Sequence, residues 1–234
     1  MRRVGILGGM GPQATILLMQ KVLDATPASD DADHLPLIVD QNPQVPSRIR
    51  RLIEGTGEDP APVLTDMARR LVAAGAEALA MPCNTAHHYA ADIRAAVTVP
   101  FIDMVDLSTR HAARLAGPGG RVGILASPAV RRIGLFDAPL ARSGVQPLYP
   151  ACEDALLLAI RRIKAAGPGP EAASALRSAS DALLQRGAKV QMIACTEFSL
   201  LADAMADGVT AFDTLDVLVA AIRDFAADGT HGDR

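Results

Sequence analysis

Short apolar runs alternate with helix-patterned stretches along the chain. "VGIL" at 4–7, "LPLIV" at 35–39, "ALAM" at 78–81 and "PFID" at 100–103 are separated by segments such as "PQATILLMQKVLDA" and "PVLTDMARRLVAA". The pattern then restarts with "VGILA", "VQPLY", "VQMIA" and "VTAF", and ends in the amphipathic segment "TLDVLVAAIRDFAA". Strands alternating with helices predict parallel sheets with helices on both faces. The restart predicts two doubly wound α/β lobes, with residues 1–104 and a returning C-terminal segment 209–234 in the first and residues 105–208 in the second.

The restart is an internal repeat, and it carries chemistry. "AGAEALAMPCNT" at 74–85 matches "RGAKVQMIACTE" at 186–197, so a cysteine stands eight residues after a helix-ending glycine in both copies: Gly75 to Cys83 and Gly187 to Cys195. A lone buried cysteine is ordinarily a small hydrophobe. Two at equivalent positions, each at the carboxyl end of a strand where open α/β sheets bind ligands, are a candidate pair facing each other across a cleft. Such a pair suits inversion of a carbon centre, where one sulfur removes a proton and the other delivers one to the opposite face. Asn84, Thr85 and Thr196 read as helix caps, and the N–H groups of those helix starts are candidates to hold a substrate carboxylate. Glu197 also reads as a capping residue.

Composition narrows the partners. Net charge is −3, aromatics are 3% and tryptophan is absent, which argues against nucleic acid. The opening "MRRVGILGGMG" has no apolar segment long enough for a signal peptide or membrane span, so the expectation is a cytoplasmic protein. The cysteines Cys83, Cys152 and Cys195 form neither an even set nor a CxxC pair, so free thiols are expected, with Cys152 structural. "GGMGPQA" has Gly9, Gly11 and Ala14 in a dinucleotide-like spacing, but a small-anion loop with Met10 lining the site explains it as well. His87 and His88 beside Asp92 and Cys83 suggest a metal only weakly, since no second ligand cluster completes the set, and surface or supporting histidines are the default. None of the three lysines, Lys21, Lys164 and Lys189, lies in a pyridoxal phosphate signature. No cofactor and no metal are expected. Arg48 is either one of a solvated run with Arg50 and Arg51 or a carboxylate clamp, and Lys164 either a helix-end charge or a site residue.

The motifs "GILGGMGPQAT", "NPQVPSR", "MPCNTAH" and "IACTE", spread from Arg3 to about Asp224, resemble the pyridoxal-independent aspartate/glutamate racemase family, especially its aspartate racemase branch. The resemblance implies two pseudo-symmetric α/β domains, a homodimer, and cofactor-free two-base catalysis by Cys83 and Cys195 on a small acidic amino acid. It also implies that Arg48 clamps a substrate carboxylate, that Lys164 points at the site, and that Glu197 lies beside the second base and meets the ammonium group. Two departures bear on the substrate: Ser47 replaces the usual acidic residue before the motif arginine, and "ASPAV" at 126–130 replaces a threonine-rich loop. Hydantoin racemisation, one-cysteine decarboxylation of activated malonates and non-catalytic binding of small acids are the alternatives.

Overall fold

A computed structural model describes residues 1–228. The first sheet contains β1 (Val4–Gly8), β2 (Leu37–Gln41), β3 (Ala78–Ala80) and β4 (Phe101–Ile102), all parallel, in the order β2-β1-β3-β4. The second repeats this plan with β5 (Arg121–Ala126), β6 (Gln146–Leu148), β7 (Val190–Ala194) and β8 (Thr210–Asp213), in the order β6-β5-β7-β8. In each sheet the chain reverses its winding between the first and third strands of the lobe. That is where a doubly wound sheet opens a crevice at its carboxyl edge.

Strand side chains alternate between two apolar layers, as the pleat requires. In the first lobe Val4, Ile6 and Ala80 pack toward α1 (Pro12–Asp24) and α9 (Thr214–Ala227), while Leu7 and Leu79 pack toward α2 (Ala61–Ala73) and α3 (Ala90–Ala96). In the second, Leu125 and Ile193 face α7 (Glu153–Ala166) and α8 (Pro170–Gln185). Val122, Ile124 and Met192 face the side holding α4 (Met104–Ala116), α5 (Pro128–Arg132) and α6 (Asp137–Arg142). The last helix therefore packs on the first lobe. β8, however, pairs with β7, so residues 210–213 belong to the second sheet and the chain returns after Asp213, not at 209. The returning segment's residues 229–234 lie outside the described residues.

The repeated glycines have a backbone reason. Gly75 and Gly187 end α2 and α8 with φ of 96° and 85°, a left-handed conformation that side chains resist. Gly9, after β1, has φ of 91°, and a Cβ there would sit 2.4 Å from the carbonyl of Asn42, so only glycine lets the two loops touch.

Two aspartates start the helices that follow the outer strands. Asp103 Oδ1 accepts from the N–H groups of Val105 and Asp106 at 2.9 and 3.0 Å, and Asp213 Oδ1 accepts from Leu215 N–H at 2.8 Å. Asp213 is 3% exposed and its Oδ2 has no partner. Burial pushes its pKa up to about 6, against the bonds from Leu215 and Ser199. A raised folded-state value contributes stability below pH 3.8 that is lost as pH rises through 6. We expect Asp213→Asn to flatten that part of the profile, so that its stability relative to wild type rises by roughly 2–3 kcal/mol between pH 4 and 7. Urea denaturation of both proteins at the two pH values measures this, and parallel profiles would place the titration elsewhere.

Candidate active site

The two switch points meet. Met10 lies two residues beyond β1, Cys83 three residues beyond β3, Ser127 just after β5, and Cys195 just after β7. These four, with Ser47, Arg48, Ile49, Thr85, Ile160, Lys164 and Glu197, line one narrow cavity of about 40 Å³ between the lobes. Both cysteines are free thiols and each is 7% exposed. Cys152 lies outside this cavity and packs on the core under α7, in keeping with a structural role.

The surroundings of the two sulfurs differ. Cys195 Sγ donates to Glu197 Oε2 at 3.1 Å, and the other carboxylate oxygen, Oε1, pairs with Lys164 Nζ at 3.0 Å. Burial, and then the adjacent Glu197 carboxylate, push the Cys195 thiol well above its usual range; Lys164 and the Glu197 N–H only partly oppose this. Cys195 is therefore a protonated acid in this state. Desolvation lowers the Lys164 pKa, but the Glu197 carboxylate outweighs it and the net shift is upward, with Cys83 contributing in the same direction. The ammonium thus pairs with Glu197 and shares the cavity with both sulfurs, where it can balance charge when a sulfur ionises.

Arg48 reaches the cavity from the segment after β2. Its Nη1 donates to the carbonyls of Val45 and Pro46 at 3.2 and 3.0 Å, and its Nη2 donates to Met10 O at 3.4 Å. It is not in the solvated run, as Arg50 and Arg51 are. The segment continues through a π-type turn at Arg50–Glu54 and touches the second lobe: Arg132 donates to Ile53 O at 2.6 Å and Arg161 pairs with Glu54 at 3.2 Å. It spans the cleft as a strap beside the cavity.

The capping roles expected of Asn84, Thr85 and Thr196 are not seen. Short 3-10 turns, Thr85–Tyr89 and Phe198–Ala204, follow the two cysteines, and neither has a side-chain cap; nor does Glu197 cap the second. The side chains are drawn to partners far from their own turns. Asn84 Nδ2 donates to Thr214 Oγ1 at 3.0 Å, Thr196 Oγ1 donates to Pro82 O at 3.2 Å, and Thr85 and Ser127 share a hydroxyl contact at 3.3 Å. Thr196, 2% exposed, therefore ties the two cysteine loops together, Asn84, also 2% exposed, ties its loop to the start of α9, and neither lines the cavity; Thr85 lines it and reaches Ser127 in the other lobe.

Ser47 and Ser127, which fall in the two departures seen in the sequence, both line the cavity, while sequence reasoning missed Ile49, which adjoins Arg48, and Ile160, one helical turn before Lys164. Ser127 also occupies the place in the second repeat that Gly9 occupies in the first. The helix period carried a signal for Ile160. The glycine loop does not suit a pyrophosphate: Gly9 N–H turns inward to Thr15 Oγ1 at 2.8 Å, and a Cβ on Gly11 would lie 3.6 Å from the Glu197 carboxylate. His87 uses both ring nitrogens within the protein, which removes the first ligand of the metal alternative. Among the described residues no three histidine, cysteine or acidic side chains cluster as a metal site, and no helix is long and apolar enough to cross a membrane.

Known proteins share this fold. The chain is 24% identical to the aspartate racemase of Picrophilus torridus, and the two structures superpose with a TM-score of 0.82 over 97% of this chain and 95% of that one, which establishes the common fold. It is 27% identical over 150 residues to the broad specificity amino-acid racemase RacX of Bacillus subtilis, covering 62% of this chain and 63% of that relative. It is 33% identical over 135 residues to a glutamate racemase of Roseiflexus sp., covering 56% and 48%. The chain thus spans less than two thirds of the length of either sequence relative. A family model described as Asp/Glu/Hydantoin racemase matches residues 7–222, nearly the whole two-lobed fold with both cysteine loops, and the chain belongs to that family.

Proposed function

We propose that this protein is a cofactor-independent amino-acid racemase that acts on aspartate or glutamate, with Cys83 and Cys195 as the opposed acid and base. The observation that carries the reading is that both repeat-related cysteines line one cavity together with Arg48, Lys164 and Glu197. One thiolate removes the α-proton from one face and the opposite thiol returns a proton to the other. The turns that follow the cysteines supply backbone N–H groups for the α-carboxylate, whose charge grows as the proton leaves. Glu197 meets the substrate ammonium, and Arg48 takes the side-chain carboxylate. With Lys164 and Glu197 paired, Arg48 is the remaining fixed charge among the lining residues, which suits one additional substrate carboxylate. Location in the cytoplasm and assembly as a homodimer belong to the same proposal, the homodimer resting on the family resemblance.

Circular dichroism of L- and D-aspartate, glutamate and alanine, in chelator and without pyridoxal phosphate, tests the reading directly. Failure to invert any of them, or a strict need for an added coenzyme, overturns it. Arg48→Leu is expected to lower kcat/KM for the acidic substrates about ten- to a hundredfold more than for alanine, since a charge-assisted contact is worth about 1.5–3 kcal/mol. Arg48→Lys keeps the charge but loses the planar fork, so it should fall between. Equal losses on acidic and neutral substrates would confine Arg48 to holding the loop carbonyls of Met10, Val45 and Pro46.

A further inference from the structure

A buried side chain beside Cys83 has no part in the mechanism above. His87 stands four residues after Cys83 and is 5% exposed. Its Nδ1 lies 2.8 Å from the Cys83 carbonyl, and its Nε2 accepts the N–H of Met104 at 3.2 Å. A carbonyl can only accept and an N–H can only donate, so the ring is the neutral tautomer with its proton on Nδ1. Burial, partly offset by Asp103, pulls its pKa down, which agrees with that state. The ring is thus a strut between the cysteine loop and the first turn of α4, the helix that Asp103 caps.

The second lobe builds its strut differently. Ser199, four residues after Cys195, donates through Oγ to Asp213 at 2.9 Å, and Asp213 caps α9 as Asp103 caps α4. There the Cys195 carbonyl is held by the backbone N–H groups of Phe198 and Ser199 at 2.8 and 3.3 Å. The carbonyl of Cys83 relies instead on an imidazole. We infer that His87 is a positioning residue for Cys83, fixing the sulfur in the cavity through the Nδ1–H bond to the Cys83 carbonyl, a role that rests on the reading of Cys83 as a reacting group.

Two isosteric replacements separate the halves of the strut. The amide nitrogen of asparagine is attached where Nδ1 is attached, so His87→Asn keeps the donor to Cys83. The amide oxygen of glutamine extends to the place of Nε2, so His87→Gln keeps the acceptor for Met104 and loses that donor. Iodoacetamide labelling, followed residue by residue by peptide mass spectrometry, reads the position of each sulfur without a substrate. His87→Gln should raise the labelling rate of Cys83 at least about threefold while that of Cys195 stays within about 1.5-fold. Its kcat should fall about tenfold with KM within about twofold, as expected when a reacting group moves off line. His87→Asn should return each of these to within about twofold of wild type.

Unchanged Cys83 labelling in His87→Gln overturns the inference, as does an equal rise at both cysteines, or an asparagine variant as impaired as the glutamine one. A variant that does not fold leaves a measurement on the wild type. Nitrogen-15 spectra of labelled histidine should show His87 neutral with its proton on Nδ1, and a proton on Nε2 overturns the strut. A wild type that labels as expected but racemises no amino acid defeats the functional reading and leaves the strut standing.

Discussion

Cys83→Ala and Cys195→Ala are each expected to lower net inversion at least about a thousandfold, because a two-base reaction stops when either proton carrier is missing. The losses should not add: the double variant should be no slower than the worse single one, since each sulfur is useless alone. In deuterated water the wild type should place solvent deuterium mainly in the inverted product, because the proton delivered comes from the sulfur opposite the one that abstracts. Each single variant should retain at most slow exchange, for the enantiomer whose α-hydrogen faces the surviving sulfur, so the two should prefer opposite enantiomers. Cys152→Ala is the control. Its side chain packs against the α7 and α8 core away from the cavity, and turnover should be unchanged. Normal racemisation by either active-site variant would reduce the repeat to a record of duplication.

That prediction stands on a feature legible in the sequence, because the repeat of glycine, strand and cysteine is local and each copy checks the other. The alternation of strands and helices was equally readable, since one apolar layer on each face of a parallel sheet leaves a pattern in the chain itself. What was not readable depends on partners far along the chain. Asn84 looks like a helix cap, but Thr214, 130 residues away at the start of α9, takes its amide, and Pro82 in the other lobe takes the hydroxyl of Thr196. With those side chains committed, the cysteine loops run into 3-10 turns in place of capped α-helices. The lobe boundary at β8 escaped for a related reason: "VTAF" reads as a strand, but it adjoins the helix of the other lobe in sequence and pairs with β7, and nothing local marks where the chain changes lobes. His87 was visible as a residue and opaque as a role, because its two bonds are to backbone groups.

The asymmetry between the two sulfurs gives the second large effect. Glu197→Gln removes the carboxylate that accepts the Cys195 S–H and that pairs with Lys164. In wild type that carboxylate adds to burial in holding the thiol protonated, so its loss should lower the Cys195 pKa, and the freed ammonium should lower it further. A carboxylate beside a thiol is also the group that takes its proton when the sulfur must act as base, and glutamine cannot. We therefore expect kcat to fall about a hundred- to a thousandfold in both directions, with the pH at which Cys195 is half-ionised moving down. Lys164→Met removes the opposing charge and should move that pH up, so the two variants differ in sign where a merely disturbed fold would move both alike. Thiolate absorbance across a pH series, taken in a Cys83→Ser, Cys152→Ser background so that only Cys195 titrates, measures the shift apart from turnover. If Glu197→Gln leaves both the Cys195 titration and kcat within about threefold, the carboxylate serves only to anchor Lys164, and Cys195 must exchange its proton with solvent by another route.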